Sequence, residues 1–152
     1  MTAPAYLSGP IPALRDLMTV AARVRHHLAR RAGLSETELL ALDQLSRCVR
    51  GPAELARLLD VSTPASTGIV DRLVSRGHAV RRAHEADRRR TEVHMTSSGR
   101  VELRARLEPM LAAMRDLDEG FTPEELDVVE RYLVGARAAL ETLLEEEESV
   151  RD

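Results

Sequence analysis

The sequence contains no lysine, no tryptophan and only one cysteine, and these shortages exclude several classes of protein. A single cysteine, Cys48, cannot form an internal disulfide framework and is typical of a reducing compartment. Tyr6, Tyr132 and Phe121 are the only aromatic residues, which disfavours recognition of single-stranded nucleic acid by base stacking. A hydrophobic core must come from Leu, Val, Ala and Met, a composition that favours helices.

Long apolar runs and enzyme motifs are missing as well. No stretch approaches the roughly 20 apolar residues that a membrane span requires. The N-terminal MTAPAYLSGPIP has no basic region followed by an apolar core, so it does not resemble a secretory signal. The sequence has no phosphate-binding loop, nucleophile elbow or carboxylate pair in an α/β frame. We therefore expect a cytoplasmic protein that is not an enzyme and uses no cofactor.

Positive charge is carried by arginine alone and is concentrated in the middle of the chain. All 22 basic residues are arginine, whose planar guanidinium can grip a phosphate with two hydrogen bonds. Residues 72–90 contain seven arginines against Glu85 and Asp87, a balance of +5. Residues 116–152 contain thirteen acids against three arginines, a balance of −10. A polyanion would meet the basic middle rather than the net charge of −3, so nucleic-acid binding is not excluded.

Capping and breaking residues divide the chain into six predicted helices, with a strand–turn–strand segment after the fourth. Their signals, in chain order, are apolar spacing from Ile11 to Arg31 before Gly33, the capping box of Ser35 and Glu38, Pro52, Ser62 or Thr63 before a stop at Gly77, Thr96 or Ser97, and the capping box of Thr122 and Glu125. Pro109 falls inside the fifth helix, where a kink is expected.

The third and fourth helices and the turn between them, residues 52–76, have helix-turn-helix spacing. The small Ala56 lets the two helices approach closely, and Val61 places an apolar side chain in the turn. Ser66 faces inward, where a larger apolar residue is more usual. The predicted shared core comprises Leu55, Leu59, Ile69 and Leu73. The predicted DNA-facing set comprises the cap Ser62, then Thr63, Pro64, Thr67, Gly68 and Asp71, with Arg72 and Arg76 near the phosphates.

The next segment, HEADRRRTEVHMT, places three arginines directly after an aspartate at the tip of a predicted hairpin. A glycine-ended helix followed at once by such a hairpin is typical of a winged helix, whose recognition helix enters the major groove while the wing reaches an adjacent minor groove. Four pieces together resemble the DNA-binding lobe of the MarR family of bacterial transcription regulators: VDRL (Val70–Leu73), Gly77, DRR (Asp87–Arg89) and T-x-x-G-R (Thr96–Arg100). The helix order on either side matches as well, so the resemblance covers nearly the whole chain.

The resemblance implies a homodimer that binds a palindromic operator in double-stranded DNA. The first, fifth and sixth helices would pair with those of the partner. Arg89 would enter the minor groove, Asp87 would pair with it and fix its aim, and Arg88 and Arg90 would contact phosphates. Apolar stripes on the first and last helices support dimerisation independently, because one small lobe cannot bury both.

The resemblance also implies a small-molecule effector, bound between the dimer base and the winged lobe. The polar candidates for this site are Arg23, His26 and His27, and Arg23 with a histidine could hold an anionic ligand. The alternative, that these three residues simply face solvent or the partner chain, is favoured over a ligand site. The predicted function is a ligand-responsive transcription regulator, with repression favoured over activation.

Two other interpretations of the sequence stay open at this point, whereas a metal site is disfavoured. The basic hairpin could belong to a helical interaction module that binds an acidic protein partner. The five histidines lack the spacing of a structural metal site, so none is predicted. Cys48 could sense oxidants, although its place near the end of the second helix is more often buried and inert.

The predicted fold is therefore mainly α with a small β-hairpin wing, a winged helix-turn-helix lobe joined to a helical dimerisation region. Residues 1–34 would form an N-terminal arm and the first helix for dimerisation. Residues 35–100 would form the DNA-binding lobe, and residues 101–152 the C-terminal dimerisation helices.

Overall fold

The computed structural model describes residues 9–84, 86–87 and 89–151, with side chains up to residue 143. This described part of the chain is mainly helical and contains one two-stranded antiparallel sheet, which confirms the predicted fold class. The elements, in chain order, are α1 (Pro10–Ala32), α2 (Glu36–Arg47), α3 (Pro52–Leu58), α4 (Thr63–Ser75), β1 (Ala79–Ala83), β2 (Thr91–Met95), α5 (Ser97–Asp118) and α6 (Pro123–Arg151).

The helix ends follow the local signals in the sequence. At the start of α2, the Glu38 backbone N–H donates to Ser35 Oγ at 3.1 Å, and the Ser35 N–H donates to Glu38 Oε2 at 2.8 Å. The same reciprocal pair joins Thr122 and Glu125 before α6. Gly33 ends α1 in the left-handed region at φ 65°, where glycine carries no steric cost. These contacts confirm both predicted capping boxes and the predicted stop.

A tight turn and a buried serine of α4 hold α3 and α4 together. Asp60 adopts a left-handed φ of 49°, and the Val61 N–H donates to Ala56 O at 3.0 Å. Ser66 is fully buried, and its hydroxyl donates to Pro52 O at 2.8 Å. The hydroxyl thus satisfies a carbonyl in the first turn of α3, so the inward serine ties the two helices together.

The hairpin joins the helical lobe through a third extended segment. Strands β1 and β2 pair in register from Ala79 opposite Met95 to Ala83 opposite Thr91. On the other side of β2, the Val93 N–H donates to Arg50 O at 2.8 Å, in the connection between α2 and α3. The Val93 side chain is fully buried, so the base of the hairpin is fixed to the core.

The chain divides into two compact units, one up to Glu108 and one from Pro109 onward. The first unit contains a core built from α1 to α4, the hairpin and the first half of α5. Its buried residues are Ala29, Leu34, Leu39, Ala41, Leu42, Leu45, Leu55, Ile69, Val70, Leu73, Ala79, Val93 and Leu103. The predicted core residues Leu55, Ile69 and Leu73 are among them, and Leu59 packs against them partly buried. The division of roles between residues 1–34, 35–100 and 101–152 stays a prediction.

The second unit consists of the end of α5 and the described part of α6. None of its described side chains, residues 109–143, is buried. Its large exposed apolar residues are Met110, Leu111, Met114, Leu117, Phe121, Val128, Val129, Tyr132, Leu133, Val134, Leu140 and Leu143. None of the described helices is long and apolar enough to cross a membrane.

Cys48 differs from the expectation of a buried position. It caps the C-terminal end of α2 in an extended conformation, with φ −161°, and its side chain is exposed. The extended backbone turns the residue off the helix, so Cys48 leaves the buried face that Leu42 and Leu45 share. Its place at the helix end was predicted correctly, but its burial was not.

Candidate nucleic-acid interface

Helix α4 has one buried face and one exposed face. Ser66, Ile69, Val70 and Leu73 are buried, which fixes the rotation of α4 about its axis. On the opposite side Thr63, Pro64 and Thr67 are exposed and Gly68 is half-buried. These four residues belong to the set that the sequence predicted to face DNA, and its other members, Ser62 and Asp71, are exposed as well.

The N-terminal half of α4 presents hydrogen-bond acceptors and methyl groups outward. Ser62 caps the helix, with its Oγ accepting from the Ala65 N–H at 3.3 Å. The Thr67 hydroxyl donates to Thr63 O at 3.0 Å. Because that bond uses the Thr67 proton, the hydroxyl oxygen is left as an acceptor and the methyl group is left for apolar contact. A threonine so placed can contact either a thymine methyl or a base-edge donor in the major groove.

An arginine from the hairpin covers the acidic residue of the exposed face. Arg81 on β1 donates to Asp71 Oδ1 at 2.5 Å and, through Nη2, to Thr67 O at 3.4 Å. The pair offsets a carboxylate that would repel phosphates. Arg81 was not among the residues predicted from the sequence, because its approach to α4 depends on the path of β1.

Arg72 and Arg76, predicted to lie near DNA phosphates, converge on one buried carboxylate. Arg72 Nε donates to Glu38 Oε1 at 2.5 Å, and Arg76 Nη1 lies 3.7 Å from Glu38 Oε2. Arg76 Nη1 also donates to Gly33 O at 2.5 Å. The two arginine side chains remain 55% and 41% exposed, whereas that of Glu38 is 3% exposed.

The charge of Glu38 is stabilised despite its burial. Burial raises the pKa of this carboxyl, but the hydrogen bonds from the Ser35 N–H and from Arg72, together with the charges of Arg76 and Arg72, outweigh it. The pKa of Glu38 therefore lies below its ordinary value of 4.5. Glu38 was not among the predicted site residues, although its position in a capping box was recognised.

The tip of the wing is a closed turn with exposed arginines. The His84 N–H donates to Arg90 O and the Arg90 N–H to Asp87 O, both at 2.9 Å. Asp87 Oδ1 accepts the backbone N–H of Arg89 at 3.0 Å. The carboxylate thus braces the Arg89 backbone, whereas the resemblance implied a pairing of the two side chains. Arg89 and Arg90 are exposed, and Arg88 lies outside the described residues.

The base of the wing is tied to the end of α4 and the start of α5. The Thr96 and Ser98 hydroxyls donate to Gly77 O at 2.6 and 2.8 Å, and the Gly99 N–H donates to Thr96 Oγ1 at 2.9 Å. A Cβ on Gly99 would clash with the backbone carbonyl of His78. The T-x-x-G motif therefore caps α5 and allows its first turn to contact the chain that enters β1.

The predicted effector residues lie along an open hollow beside α1. Arg23, His26 and His27 are exposed and, with Glu36 of α2, line a hollow of about 790 Å³. His26 Nδ1 lies 2.7 Å from Glu36 Oε1, and Arg25 Nε lies 3.8 Å from Glu36 Oε2. The hollow has apolar walls and a rim of basic side chains. The Glu36 carboxylate at this rim is already close to His26 and Arg25.

No cluster of three or more His, Cys, Asp or Glu side chains within the described ranges could hold a metal ion. Two histidines of the hairpin, His84 and His94, approach Glu92, with distances of 3.7 and 3.0 Å from Nε2 to the carboxylate oxygens. These three side chains are not a metal-ligand set.

Comparison with known proteins links this arrangement to one family. A sequence profile described as the MarR family matches residues 32–90. The regulator YcgE of Bacillus subtilis (strain 168), described as an uncharacterized HTH-type transcriptional regulator, is 30% identical over 124 residues, which cover 79% of each chain. The HTH-type transcriptional repressor YetL of the same organism is 29% identical over 113 residues, covering 72% of this chain and 67% of YetL.

A solved structure shows the same fold. Wild-type MarR from E. coli, in its apo form, superposes with a TM-score of 0.61 at 20% identity, covering 85% of this chain and 98% of MarR. At that identity the likeness shows the fold alone, a MarR-like winged helix-turn-helix.

Proposed function

This chain belongs to the MarR family of DNA-binding transcription regulators, and on that premise we propose that it is a ligand-responsive repressor that binds a palindromic operator as a homodimer. Regulators of this family are not enzymes. The observation that carries the proposal is the exposed outer face of α4, flanked by the arginines of α4 and of the wing within one compact unit. The YetL relative, a repressor, favours repression over activation. A cytoplasmic location is part of the same proposal.

The proposed roles at the DNA follow from chemistry and exposure. Thr67 reads base edges in the major groove, and Arg89 enters the minor groove, where the negative potential of a narrow groove attracts arginine. The remaining proposed DNA contacts, to phosphates or to the groove wall, are Ser62, Thr63, Pro64, Gly68, Arg72, Arg76, Arg88 and Arg90. Asp87 acts here through the Arg89 backbone.

Dimerisation is supported by apolar surface that the described chain leaves exposed. Ile11, Leu17, Met18 and Val20 of α1 are each about half exposed, and the second unit buries no described side chain. An exposed apolar surface of this extent marks an interface. A two-fold dimer would place two α4 helices on two half-sites of a palindrome.

The effector in this proposal is a small organic anion with an apolar body. Arg23 supplies positive charge and a histidine supplies a ring nitrogen for hydrogen bonding, while Val20 and Val24 supply apolar walls. The pairing of His26 with Glu36 means that an incoming carboxylate would compete with Glu36 for the imidazole.

The proposal is tested by selecting duplexes from a random-sequence pool with the purified protein. The selected duplex is then compared with a scrambled version of itself. We expect a palindrome that binds roughly 10³-fold or more tightly than the scrambled duplex. Equal binding to both duplexes, together with salt-sensitive binding to an acidic protein, would favour the interaction-module alternative.

A further inference from the structure

The one buried carboxylate that the described core holds lies directly behind the recognition helix α4. Glu38 belongs to the first turn of α2, and its side chain is 3% exposed. Its Oε2 accepts from the Ser35 N–H, which completes the capping box. A capping box alone can be completed by glutamine and does not require a charge. The negative charge of Glu38 is therefore not explained by the cap, and the contact of its Oε1 with Arg72 suggests a second role.

Oε1 of Glu38 holds Arg72 by its Nε. A guanidinium bound through Nε keeps the N–H donors of its two terminal nitrogens available for other acceptors. A Cβ placed on Gly68 would lie 3.5 Å from Arg72 Nη1, which locates that nitrogen beside the exposed face of α4. Arg72 therefore points its Nε at buried Glu38 and its outer edge toward the surface proposed to meet DNA.

Arg76 is held differently, although it approaches the same carboxylate. Its Nη1 donates to Gly33 O, at the end of α1, and lies 3.7 Å from Glu38 Oε2. Arg76 thus fastens α4 to the turn between α1 and α2. Of the two arginines, Arg72 is the one for which the structure places a terminal nitrogen, Nη1, beside the exposed face of α4.

We propose that Glu38 is a positioning residue for operator recognition, because its buried carboxylate holds the Arg72 guanidinium in the orientation that contacts a DNA phosphate. The inference rests on the proposed function. It gives Glu38 a role in DNA affinity and specificity although this side chain is not exposed to DNA. A phosphate contact made by a fixed guanidinium sets the register of α4 in the groove, so its loss weakens discrimination between sequences.

The first test replaces the carboxylate by its neutral isostere, Glu38→Gln. The amide oxygen can still accept the Ser35 N–H, but Arg72 loses its charged acceptor. We expect discrimination between the selected palindrome and its scrambled version to fall about tenfold, through weaker palindrome binding, because the register of α4 in the groove is no longer fixed. Binding to the scrambled duplex should stay level or rise, because the lobe gains one positive charge.

Asp43→Asn is the matched control. Asp43 also lies on α2 and pairs with an arginine, Arg47, at 3.2 Å, but that arginine is not on α4. The control removes the same charge and one ion pair, so we expect discrimination to stay within about twofold of wild type. A purely structural defect in either variant would lower both duplex affinities together and leave their ratio unchanged.

Two further variants separate orientation from charge. Arg72→Lys keeps the positive charge but lacks the guanidinium fork, so we expect the same loss of discrimination as in Glu38→Gln. If Glu38 acts through Arg72, the double variant Glu38→Gln/Arg72→Ala should match Arg72→Ala alone.

Each outcome either supports or overturns the role proposed for Glu38. The inference is overturned if folded Glu38→Gln keeps wild-type discrimination. It is also overturned if the double variant discriminates much less well than Arg72→Ala alone. Either result leaves the proposed function intact. If Glu38→Gln does not fold, Arg72→Lys decides, and full discrimination in that variant overturns the inference. A wild-type protein that does not distinguish the two duplexes contradicts the proposed function and this inference with it.

Discussion

Single residues of this chain derive their roles from what lies beside them in space. Glu38 shows this most clearly, since one carboxylate completes a helix cap, stays charged inside the core and holds an arginine of the recognition helix. Gly99 shows it in the opposite way, because what matters at that position is the absence of a side chain.

Gly99→Ala should destabilise the protein. Helix propensity alone would make alanine the better residue in α5, but the new Cβ would clash with the His78 backbone carbonyl, which cannot move like a flexible side chain. We expect a loss of about 2–3 kcal/mol in the free energy of unfolding, measured by urea titration. Gly68→Ala is the control, because its Cβ meets only Arg72 Nη1, at 3.5 Å. That variant should be neutral or gain up to about 1 kcal/mol, and a similar loss in both variants would contradict the prediction.

Glu38 should make the stability of the protein sensitive to acid. Its pKa is lower in the folded state than its ordinary value of 4.5, so folding favours the charged form. The resulting stabilisation is fully present well above pH 4.5 and is lost as the pH falls through the folded pKa. Urea titrations of wild type and Glu38→Gln at pH 7 and pH 3 measure this. Wild type should be the more stable at pH 7 and the difference should shrink at pH 3; a constant difference would show that the charge of Glu38 does not stabilise the fold.

At the scale of elements, the wing is a hairpin whose tip is organised by one carboxylate. Asp87 accepts the Arg89 N–H and thereby shapes the turn that carries the exposed arginine. The turn belongs to the class in which an aspartate side chain bonds the backbone two residues ahead, and asparagine can replace aspartate in it.

Arg89→Ala should weaken binding to the selected palindrome by about 1–3 kcal/mol, because it removes the guanidinium proposed for the minor groove. Fluorescence anisotropy with labelled duplex measures the loss. Arg104→Ala removes an exposed arginine of α5 and serves as the control for net charge. Asp87→Ala should reproduce part of the loss by opening the turn, whereas Asp87→Asn should not. Unchanged affinity in Arg89→Ala would remove the wing tip from the interface.

The elements were predictable to the extent that their signals are local. Both capping boxes and the glycine after α1 act over a few residues, so the sequence marks them directly. The Glu38–Arg72 pair joins residues 34 apart in the chain, and no local pattern indicates that α2 and α4 bring them together. The inward Ser66 was detected as unusual, but its partner, Pro52 O, became evident only in the packed helix pair.

At the scale of the whole molecule, the two units differ in how well they are packed. The first unit has a continuous core that unites the helix-turn-helix with the base of the wing. The second unit exposes apolar side chains along both of its helices and buries none of those described. The acidic composition after residue 116 suits a region that does not approach DNA, and its apolar residues suit a partner chain.

Leu133→Glu should therefore convert a dimer into a monomer. Leu133 follows Val129 by one turn of α6 and precedes Leu140 by two, and all three are 42–43% exposed. Burying a glutamate within a paired apolar stripe would cost several kcal/mol, while the core of the first unit would stay intact. Sedimentation equilibrium at micromolar concentration should give twice the chain mass of 16.9 kDa for wild type and that mass for the variant. Circular dichroism checks that the variant remains helical.

Arg131→Glu is the control, because it introduces the same side chain on the opposite face of α6 and should stay dimeric. A monomeric wild-type protein, or dissociation of both variants alike, would contradict the assignment of this stripe to the dimer.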